Sequence, residues 1–346
     1  MPDQRPILIG DIGGTNARFA LIDGSAEKTV RGASVLPRCL TVDFPDPLRA
    51  IRAALSSQSG PAPGRALLAV ATKVEGPVVR LTNAAWTIDA AAIGEGLGLE
   101  QVELVNDYVP MAAAAAVLDG SSGDLAWIGE ARPSRRGPIV VLGPGTGFGA
   151  AALLLAGERR LVQSTEAGHV DLGPADDDEA RFWPYLERVE GRITVETVLS
   201  GPGLLRLYRA MGALRGVPGE CLSSHEIVLR GVSAADPLAR DALHAFARLL
   251  GRVAGDLALI FSATSVLIGS GIAPSLVSFL KASGLRAAFS NKAPFASVLE
   301  NIPTGVILEP DPALRGLAVM ARDPDRFLYD HALWTDASGN GGQPAG

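Results

Sequence analysis

The sequence predicts an α/β protein made of two similar units. Residues 7–9 form an apolar run that leads into a glycine-rich turn at 10–16 and then into an alternating segment at 17–21, as a two-stranded hairpin does. Residues 138–153 repeat this order around a second glycine turn at 143–149. A chain of 346 residues, 47% of them hydrophobic, also exceeds the roughly 250–300 residues at which single cores stop growing. We therefore expect two α/β units, each offering a glycine turn to a shared cleft where a nucleotide fits.

The first glycine turn has the chemistry of a polyphosphate site. Its glycines remove side chains that would block close approach, so backbone N–H groups can converge on phosphate oxygens. Asp11 offers a carboxylate to a magnesium ion. A tight hairpin without a ligand explains the two adjacent glycines equally well. The choice between a phosphate site and a ligand-free hairpin therefore depends on the remaining motifs.

The remaining elements follow from periodicity and from helix-start signals. The sequence predicts helices at 47–55, 88–97, 111–118 and 275–281, a long helix opened by Asp236 and Pro237, and strands at 66–71, 77–83 and 102–105.

A polar pair, Asn106 and Asp107, stands where a predicted strand ends and a helix begins. In open α/β sheets ligands bind outside the carboxyl ends of the strands. A carboxylate there can accept the proton of a hydroxyl that attacks a γ-phosphate. An N-cap for the following helix explains the position of Asp107 equally well.

Other polar residues carry weaker signals. Glu166 and His169 lie three residues apart in a glycine-containing turn and suit vicinal hydroxyls, although a solvated loop also accounts for them. Glu196, judged by position alone, is a surface helix residue. The acidic cluster 176–179 is interpreted as a solvated loop, and His244 as a packing or surface residue of the long helix.

Composition excludes several classes of protein. The net charge of −6 and the lack of a clustered basic face argue against nucleic acid. Two cysteines cannot form a disulfide framework or a cysteine-rich metal site, and the first residues lack the apolar core of a signal peptide. The charge-free runs at 137–157 and 257–280 are long enough to span a membrane, but glycines and proline interrupt both, so no membrane partner is expected. The P-loop and protein-kinase signatures are also missing from the sequence.

Seven motifs, in order along the chain, resemble the bacterial glucokinase family, a group distinct from the ROK sugar kinases within the hexokinase/actin-like ATPase superfamily. They are Gly-Asp-Ile-Gly-Gly-Thr-Asn-Ala-Arg at 10–18, Leu-Thr-Asn-x-x-Trp at 81–86, Val-Asn-Asp at 105–107, Gly-x-Gly-Thr-Gly-x-Gly at 143–149, Glu-Ala-Gly-His-Val-Asp at 166–171, Glu-x-Val-Leu-Ser-Gly-Pro-Gly at 196–203 and Lys-Ala-Ser-Gly-x-Arg-Ala-Ala-Phe at 281–289. The zinc-binding cysteines of ROK proteins have no counterpart, since no cysteine follows His169 before Cys221.

The resemblance implies two RNase H-like (actin-like ATPase) domains with a cleft between them. The small domain would comprise 1–118 and about 311–346, with a C-terminal helix that returns to it and a disordered tail after about 337. The large domain would comprise 119–310. The resemblance also implies a homodimer, and the two cysteines fit a reducing compartment, so a cytoplasmic location is expected.

The same resemblance implies ATP-dependent phosphorylation of glucose. Asp107 would be the catalytic base that activates the 6-hydroxyl by direct in-line transfer. The other expected contacts are Asn106, Glu166, His169 and Glu196 for the sugar; Asp11 for Mg²⁺, through water; Gly13, Gly14, Thr15, Asn16, Gly145, Thr146 and Gly147 for the phosphates; and Gly269 and Gly271 for the adenosine.

The chain departs from the family pattern in two places. Thr72-Lys73-Val74 stands where the family has a proline-containing turn near the sugar, and Gly269-Ser270-Gly271 replaces Ala-Gly-Gly, with Ser275 in place of an arginine. The first departure bears on the substrate loop and the second on nucleotide affinity or donor choice. The alternative functions are a kinase for another hexose or an amino sugar on the same scaffold, a catalytically silent sugar sensor, and an actin-like ATPase.

Overall fold

The structure is a computed structural model that describes residues 5–23, 33–81, 84–130, 137–217, 221–269 and 273–336. The predicted tail and Gly271 lie outside these residues.

Strands and helices occur in mixed order along the described part of the chain, with several strands or several helices often following one another. The strands are β1 (Ile7–Ile12), β2 (Asn16–Ile22), β3 (Ala33–Val35), β4 (Cys39–Leu40), β5 (Arg65–Val70), β6 (Val78–Arg80), β7 (Thr87–Asp89), β8 (Gln101–Asn106), β9 (Leu125–Ile128), β10 (Ile139–Pro144), β11 (Phe148–Ala156), β12 (Arg159–Thr165), β13 (Ser265–Ile268), β14 (Thr304–Ile307), β15 (Phe327–Leu328) and β16 (Ala332–Thr335). The α-helices are α1 (Pro47–Leu55), α2 (Ala90–Leu97), α3 (Tyr108–Ala115), α4 (Asp177–Phe182), α5 (Val195–Val198), α6 (Gly201–Leu214), α7 (Ser224–Val232), α8 (Pro237–Ile260), α9 (Val277–Ala282), α10 (Leu285–Ser290), α11 (Ala296–Glu300) and α12 (Pro312–Arg322).

The chain divides into two compact units. The first contains Met1–Val117, Leu155–Gln163 and Asp311–Gly346, and the second contains Leu118–Leu154 and Ser164–Pro310.

The first unit is built on a mixed sheet in the order β16-β8-β5-β1-β2-β3, with β4 also paired to β2. β1 runs parallel to β5, and β5 runs parallel to β8, so Ile12, Val70 and Asn106 are aligned at one edge of the sheet. Helix α12 packs closely on α3, because a Cβ at Gly316 would collide with the backbone of Pro110. The site residues on β1 and after β8 therefore rest on a sheet with a helical support.

The second unit repeats this arrangement, as the sequence predicts. β10 pairs antiparallel with β11 and parallel with β13, as β1 does with β2 and β5. Pro138 accepts a hydrogen bond from the residue before β13, as Pro6 does from the residue before β5. The sheet continues through β14 to β9. Its core lies between this sheet and the buried faces of α6 and α8.

Most predicted elements are present, and their ends differ for identifiable reasons. Helix α1 has the predicted bounds because Asp46 caps it and Pro47 begins it. The predicted strand at 77–83 is confined to β6, and the segment predicted as a helix from 88 begins with strand β7, since the two short strands pair with each other.

Two predicted helices begin or end at other residues. Helix α3 begins at Tyr108 and ends at Ala115, three residues before the predicted end. The helix predicted at 275–281 starts as a 3₁₀ turn at Ala273–Leu276 and continues as α9.

The interpretation of residues 176–179 as a solvated loop is correct for the exposure of Asp176, Asp177 and Asp178, but it is wrong for Glu179 and for the backbone, which begins helix α4. Asp176 caps α4 through the backbone N–H of Glu179, and the Glu179 side chain is buried and paired with Arg252. The acidic sequence predicts exposure, because the pairing of Glu179 with the distant Arg252 has no local sequence signal.

In the part of the chain that the structure describes, no helix has the length and apolar character needed to cross a membrane. The charge-free run at 137–157 is largely the β10–β11 hairpin.

Candidate active site

Asn106 and Asp107 lie at the carboxyl end of β8, where α3 begins. The Asn106 amide donates to the Thr72 carbonyl at 3.2 Å and to Asp107 Oδ1 at 3.0 Å, while its own oxygen accepts from the Tyr108 N–H at 3.0 Å. The Asp107 N–H donates to the Val70 carbonyl at 3.1 Å. Asn106 therefore fixes the rotamer of the Asp107 carboxylate.

The alternative role of Asp107 as a helix cap is not what the structure shows. Within segment 84–130 its carboxylate makes no capping hydrogen bond to α3. Since it does not cap the helix, this carboxylate remains available for a substrate.

The surroundings of Asp107 make it a stronger base than an ordinary aspartate. Burial, and to a smaller extent the Asp11 carboxylate, raise its pKa to about 7. The N–H groups of Asp107 and Tyr108 and the Asn106 amide act in the opposite direction without cancelling the shift. A carboxylate with a pKa near neutrality is suited to general base catalysis at that pH.

Asp11 lies on β1 in the same sheet. Burial raises its pKa, the Arg18 guanidinium lowers it, and Asp311 raises it. Arg18 is directly opposite on β2 and pairs with Asp311 at 2.8 Å. The Arg18–Asp311 pair was not predicted from the sequence, because the partners are far apart in the chain.

The first glycine turn is supported from one side by residues 38–41. Gly13 N–H donates to the Asn16 carbonyl at 2.9 Å, which closes the turn. Thr41 donates its hydroxyl to the Gly14 carbonyl at 2.7 Å, and Arg38 donates to Asn16 Oδ1 at 3.0 Å. Sequence reasoning missed both supporting residues, since neither belongs to a recognisable motif.

Lys73, the departure noted beside the expected sugar turn, is exposed and forms an ion pair with Glu75 at 2.6 Å. The preceding Thr72 carbonyl is the acceptor for Asn106. The backbone of this turn thus supports Asn106, while the Lys73 side chain faces solvent.

In the second unit the turn at 145–147 connects β10 to β11. Gly145 N–H donates to the Gly147 carbonyl at 2.7 Å, and the Gly145 carbonyl accepts from Gly201 N–H at 2.9 Å. A Cβ on Gly145 would meet nothing within 4 Å, so its backbone borders open space that a phosphate can occupy.

Glu196 is half-buried on α5 and is not the surface residue that its sequence position indicates. Its Oε2 accepts the Phe148 N–H at 2.7 Å, immediately after the turn. A hydrogen bond across 48 residues has no local sequence signal, which explains the error.

Glu166 precedes the 3₁₀ turn Ala167–His169 and His169 is its last residue, with His169 Nε2 3.9 Å from Glu166 Oε2. Both side chains are 62% exposed. Together they offer a ligand both hydrogen-bond acceptors and a hydrogen-bond donor.

A cavity of about 450 Å³ adjoins the turn at 145–147. It is large enough for a nucleoside. Its lining includes Gly145, Thr146, Ser200, Pro202, Ser224 and His225. The sequence analysis assigned nothing to Ser224 and His225, although Ser223 and Glu226 form a capping box that predicts where α7 begins. Gly269 is buried and donates to the Leu142 carbonyl at 2.8 Å.

Comparisons with known proteins agree with this arrangement. A family model described as Glucokinase matches residues 8–324. The chain belongs to the glucokinase family. It is 40% identical over 324 residues to a glucokinase of Sinorhizobium fredii, covering 93% of this chain and 94% of that protein. It is 41% identical over 329 residues to a glucokinase of Chelativorans sp., with 94% of each chain covered. The predicted family and enzyme class, a glucose kinase, are confirmed.

Solved structures confirm the predicted fold. The crystal structure of a glucokinase from an Antarctic psychrotroph superposes with a TM-score of 0.79 at 33% identity, covering 92% of this chain and 98% of that one. A Balamuthia mandrillaris glucokinase, crystallised in complex with glucose, gives a TM-score of 0.74 at 23% identity and covers 92% of this chain and 94% of its own. The second likeness concerns the fold alone.

Proposed function

We propose that this glucokinase transfers the γ-phosphoryl group of ATP directly to the 6-hydroxyl of glucose, with Asp107 as the general base. The single observation that carries the proposal is the Asp107 carboxylate, which is oriented by Asn106 and has a pKa of about 7. At neutral pH a large fraction of it is ionised and able to accept the hydroxyl proton as the oxygen attacks.

The remaining sugar hydroxyls are bound by Asn106, Glu166, His169 and Glu196. Asn106 directs both its amide donors to protein partners, so its part is to orient Asp107 as much as to touch the sugar. Because unpaired polar groups are costly, such a set discriminates against sugars that lack a hydroxyl.

ATP binds through its phosphates to the turns at 13–16 and 145–147, and its nucleoside occupies the cavity beside Thr146. In support, a solved ROK glucokinase from Streptomyces griseus, 19% identical with a TM-score of 0.61, holds glucose and AMPPNP. Gly269 and Gly271 stay in the proposal as residues near the adenosine.

Mg²⁺ fits the residues present. Among the residues that the structure describes, no group of three or more His, Cys, Asp or Glu side chains forms a metal cage. Mg²⁺ usually keeps several waters and binds one or two carboxylates together with substrate phosphates, so Asp11 is sufficient as the protein's contribution. When bound, the ion neutralises charge on the transferring phosphoryl oxygens.

The proposal also includes domain boundaries near 118 and 311, a cytoplasmic location and a homodimeric state. The division of the chain into compact units supports the two boundaries, and it adds Leu155–Gln163 to the first unit. Family membership supports the location and the homodimer.

The test is the rate of ADP release from MgATP with glucose, mannose, fructose, N-acetylglucosamine or no sugar. A rate confined to glucose supports the proposal. Turnover on another sugar means that the enzyme is a kinase for that sugar and implicates the Lys73 turn in specificity. Binding of glucose without turnover indicates a sensor. ADP release that needs no sugar indicates an ATPase.

A further inference from the structure

The two oxygens of the Glu196 carboxylate have different surroundings. Oε2 accepts the Phe148 N–H, and a Cβ at Gly147 would collide with it, so the carboxylate lies directly against the glycine turn. Phe148 donates to Oε2 only, and none of the described residues donates to Oε1. One carboxylate therefore holds the turn and keeps an oxygen for a ligand.

The segment that carries Glu196 holds the same turn at a second point. Gly201 N–H donates to the Gly145 carbonyl at 2.9 Å. Ser200 links the two contacts, because its hydroxyl donates to the Glu196 carbonyl at 2.8 Å and accepts from Gly203 N–H at 3.0 Å. Hydrogen bonds thus join the end of α5 and the start of α6 to the turn.

The turn that carries Glu166 and His169 packs on the same strand. A Cβ at Gly168 would lie 2.5 Å from the Phe148 carbonyl oxygen, so the two backbones are in close contact. Thr165 donates its hydroxyl to the Ala150 carbonyl at 2.9 Å, and Val195 N–H donates to the Val170 carbonyl at 2.9 Å. The proposed sugar ligands and the phosphate turn of this unit are therefore one hydrogen-bonded assembly.

We propose that Glu196 is a positioning residue for the phosphate turn and thereby couples sugar binding to nucleotide binding. A sugar hydroxyl that donates to Oε1 restricts the carboxylate to the orientation in which Oε2 holds the Phe148 N–H. This keeps the turn at 145–147 in the form that accepts phosphate oxygens. The inference rests on the proposed function, since it needs glucose at Glu196 and phosphates at this turn.

Coupling between two sites is reciprocal, so glucose tightens nucleotide binding by the same factor by which nucleotide tightens glucose binding. Since one charge-assisted hydrogen bond transmits the effect, we expect a factor of about five to ten.

The test is calorimetric titration of the full chain with MgADP, with and without saturating glucose; this pair does not react. In the wild-type protein glucose should lower the Kd for ADP about five- to tenfold. Glu196→Gln replaces one carboxylate oxygen with an N–H₂ group that cannot accept a hydrogen bond. It should raise the Kd for ADP without glucose severalfold and abolish the effect of glucose.

His169→Ala is the matched control, because His169 is an expected sugar ligand with no hydrogen bond to the turn. It should weaken glucose binding and leave the Kd for ADP in the absence of glucose unchanged. Saturating glucose should still lower the Kd for ADP as it does in the wild type. Glu196→Asp is a second variant: the charge stays but the shorter side chain withdraws from Phe148, so it should lose the coupling as Glu196→Gln does.

If Glu196→Gln weakens glucose binding but leaves ADP binding and its response to glucose as in the wild type, the inference is wrong while the proposed function stands. If the wild-type protein binds neither ligand, both are wrong.

Discussion

Replacing Asp107 with asparagine should remove catalysis and stabilise the fold. The carboxylate has a pKa of about 7 in the folded protein against an ordinary value of 3.8. A shift of about three units corresponds to about 4 kcal/mol, at roughly 1.4 kcal/mol per unit. Because Asp107 is partly exposed and water screens its charge, we expect the variant to gain about 2 kcal/mol in free energy of unfolding.

The sign follows from the direction of the shift. Since the folded pKa is raised, the folded state binds the proton more tightly, and stability falls as pH rises from about 4 to about 7. Asp107→Asn removes this fall in stability, because asparagine does not ionise. The free energy of unfolding of the variant should exceed that of the wild type only slightly near pH 4, by more at pH 5 and 6, and by the full amount above about pH 7.

Urea unfolding at pH 5 and pH 8 measures this advantage, and the same samples give kcat. Loss of the base should lower kcat by about 10²–10⁴-fold while glucose still binds. Asp330→Asn, at an exposed carboxylate, is the control for removal of one charge and should alter neither quantity. A variant that is less stable than the wild type at pH 8, or that keeps a kcat within tenfold, would refute the reasoning.

Three further predictions concern other parts of the molecule. The value of kcat/KM should rise with pH up to about 7 and then level off, as Asp107 loses its proton; a profile already flat at pH 5.5 would contradict its role. Arg252→Met should lower the free energy of unfolding by about 3 kcal/mol because it leaves the buried Glu179 carboxylate unpaired, whereas Arg248→Met, at a more exposed pair, should cost under about 1 kcal/mol; equal costs in urea titrations would overturn this. Gly316→Val should collide with the backbone of α3, lower stability by about 1–3 kcal/mol and reduce kcat, as thermal unfolding and rate assays would show; an unchanged melting temperature would count against the packing.

The sequence predicts the glycine turns and the position of Asp107 because these depend on local order: an apolar strand, a turn, and a strand end followed by a helix start. Both hairpins and the β8–α3 junction are present. The raised pKa of Asp107 could not be predicted, because it depends on burial and on Asp11, which is distant in the chain.

Long-range pairs account for what the sequence did not reveal. Glu196 meets Phe148, Arg18 meets Asp311, and Glu179 meets Arg252, each across many positions of the chain. Local periodicity treats such charged residues as solvent-exposed, whereas tertiary structure places their partners opposite them. The unexpected start of α9 is a separate, local difference, since a 3₁₀ turn precedes the regular helix.

The central claim is direct transfer to the 6-hydroxyl of glucose with Asp107 as the base. Phosphorus NMR of the product formed from MgATP and glucose, by the wild-type protein and by Asp107→Ala in parallel, tests it most directly. The account predicts glucose 6-phosphate from the wild type and no sugar phosphate from the variant over the same time. Phosphate on another hydroxyl, release of inorganic phosphate alone, or comparable product from Asp107→Ala would contradict it.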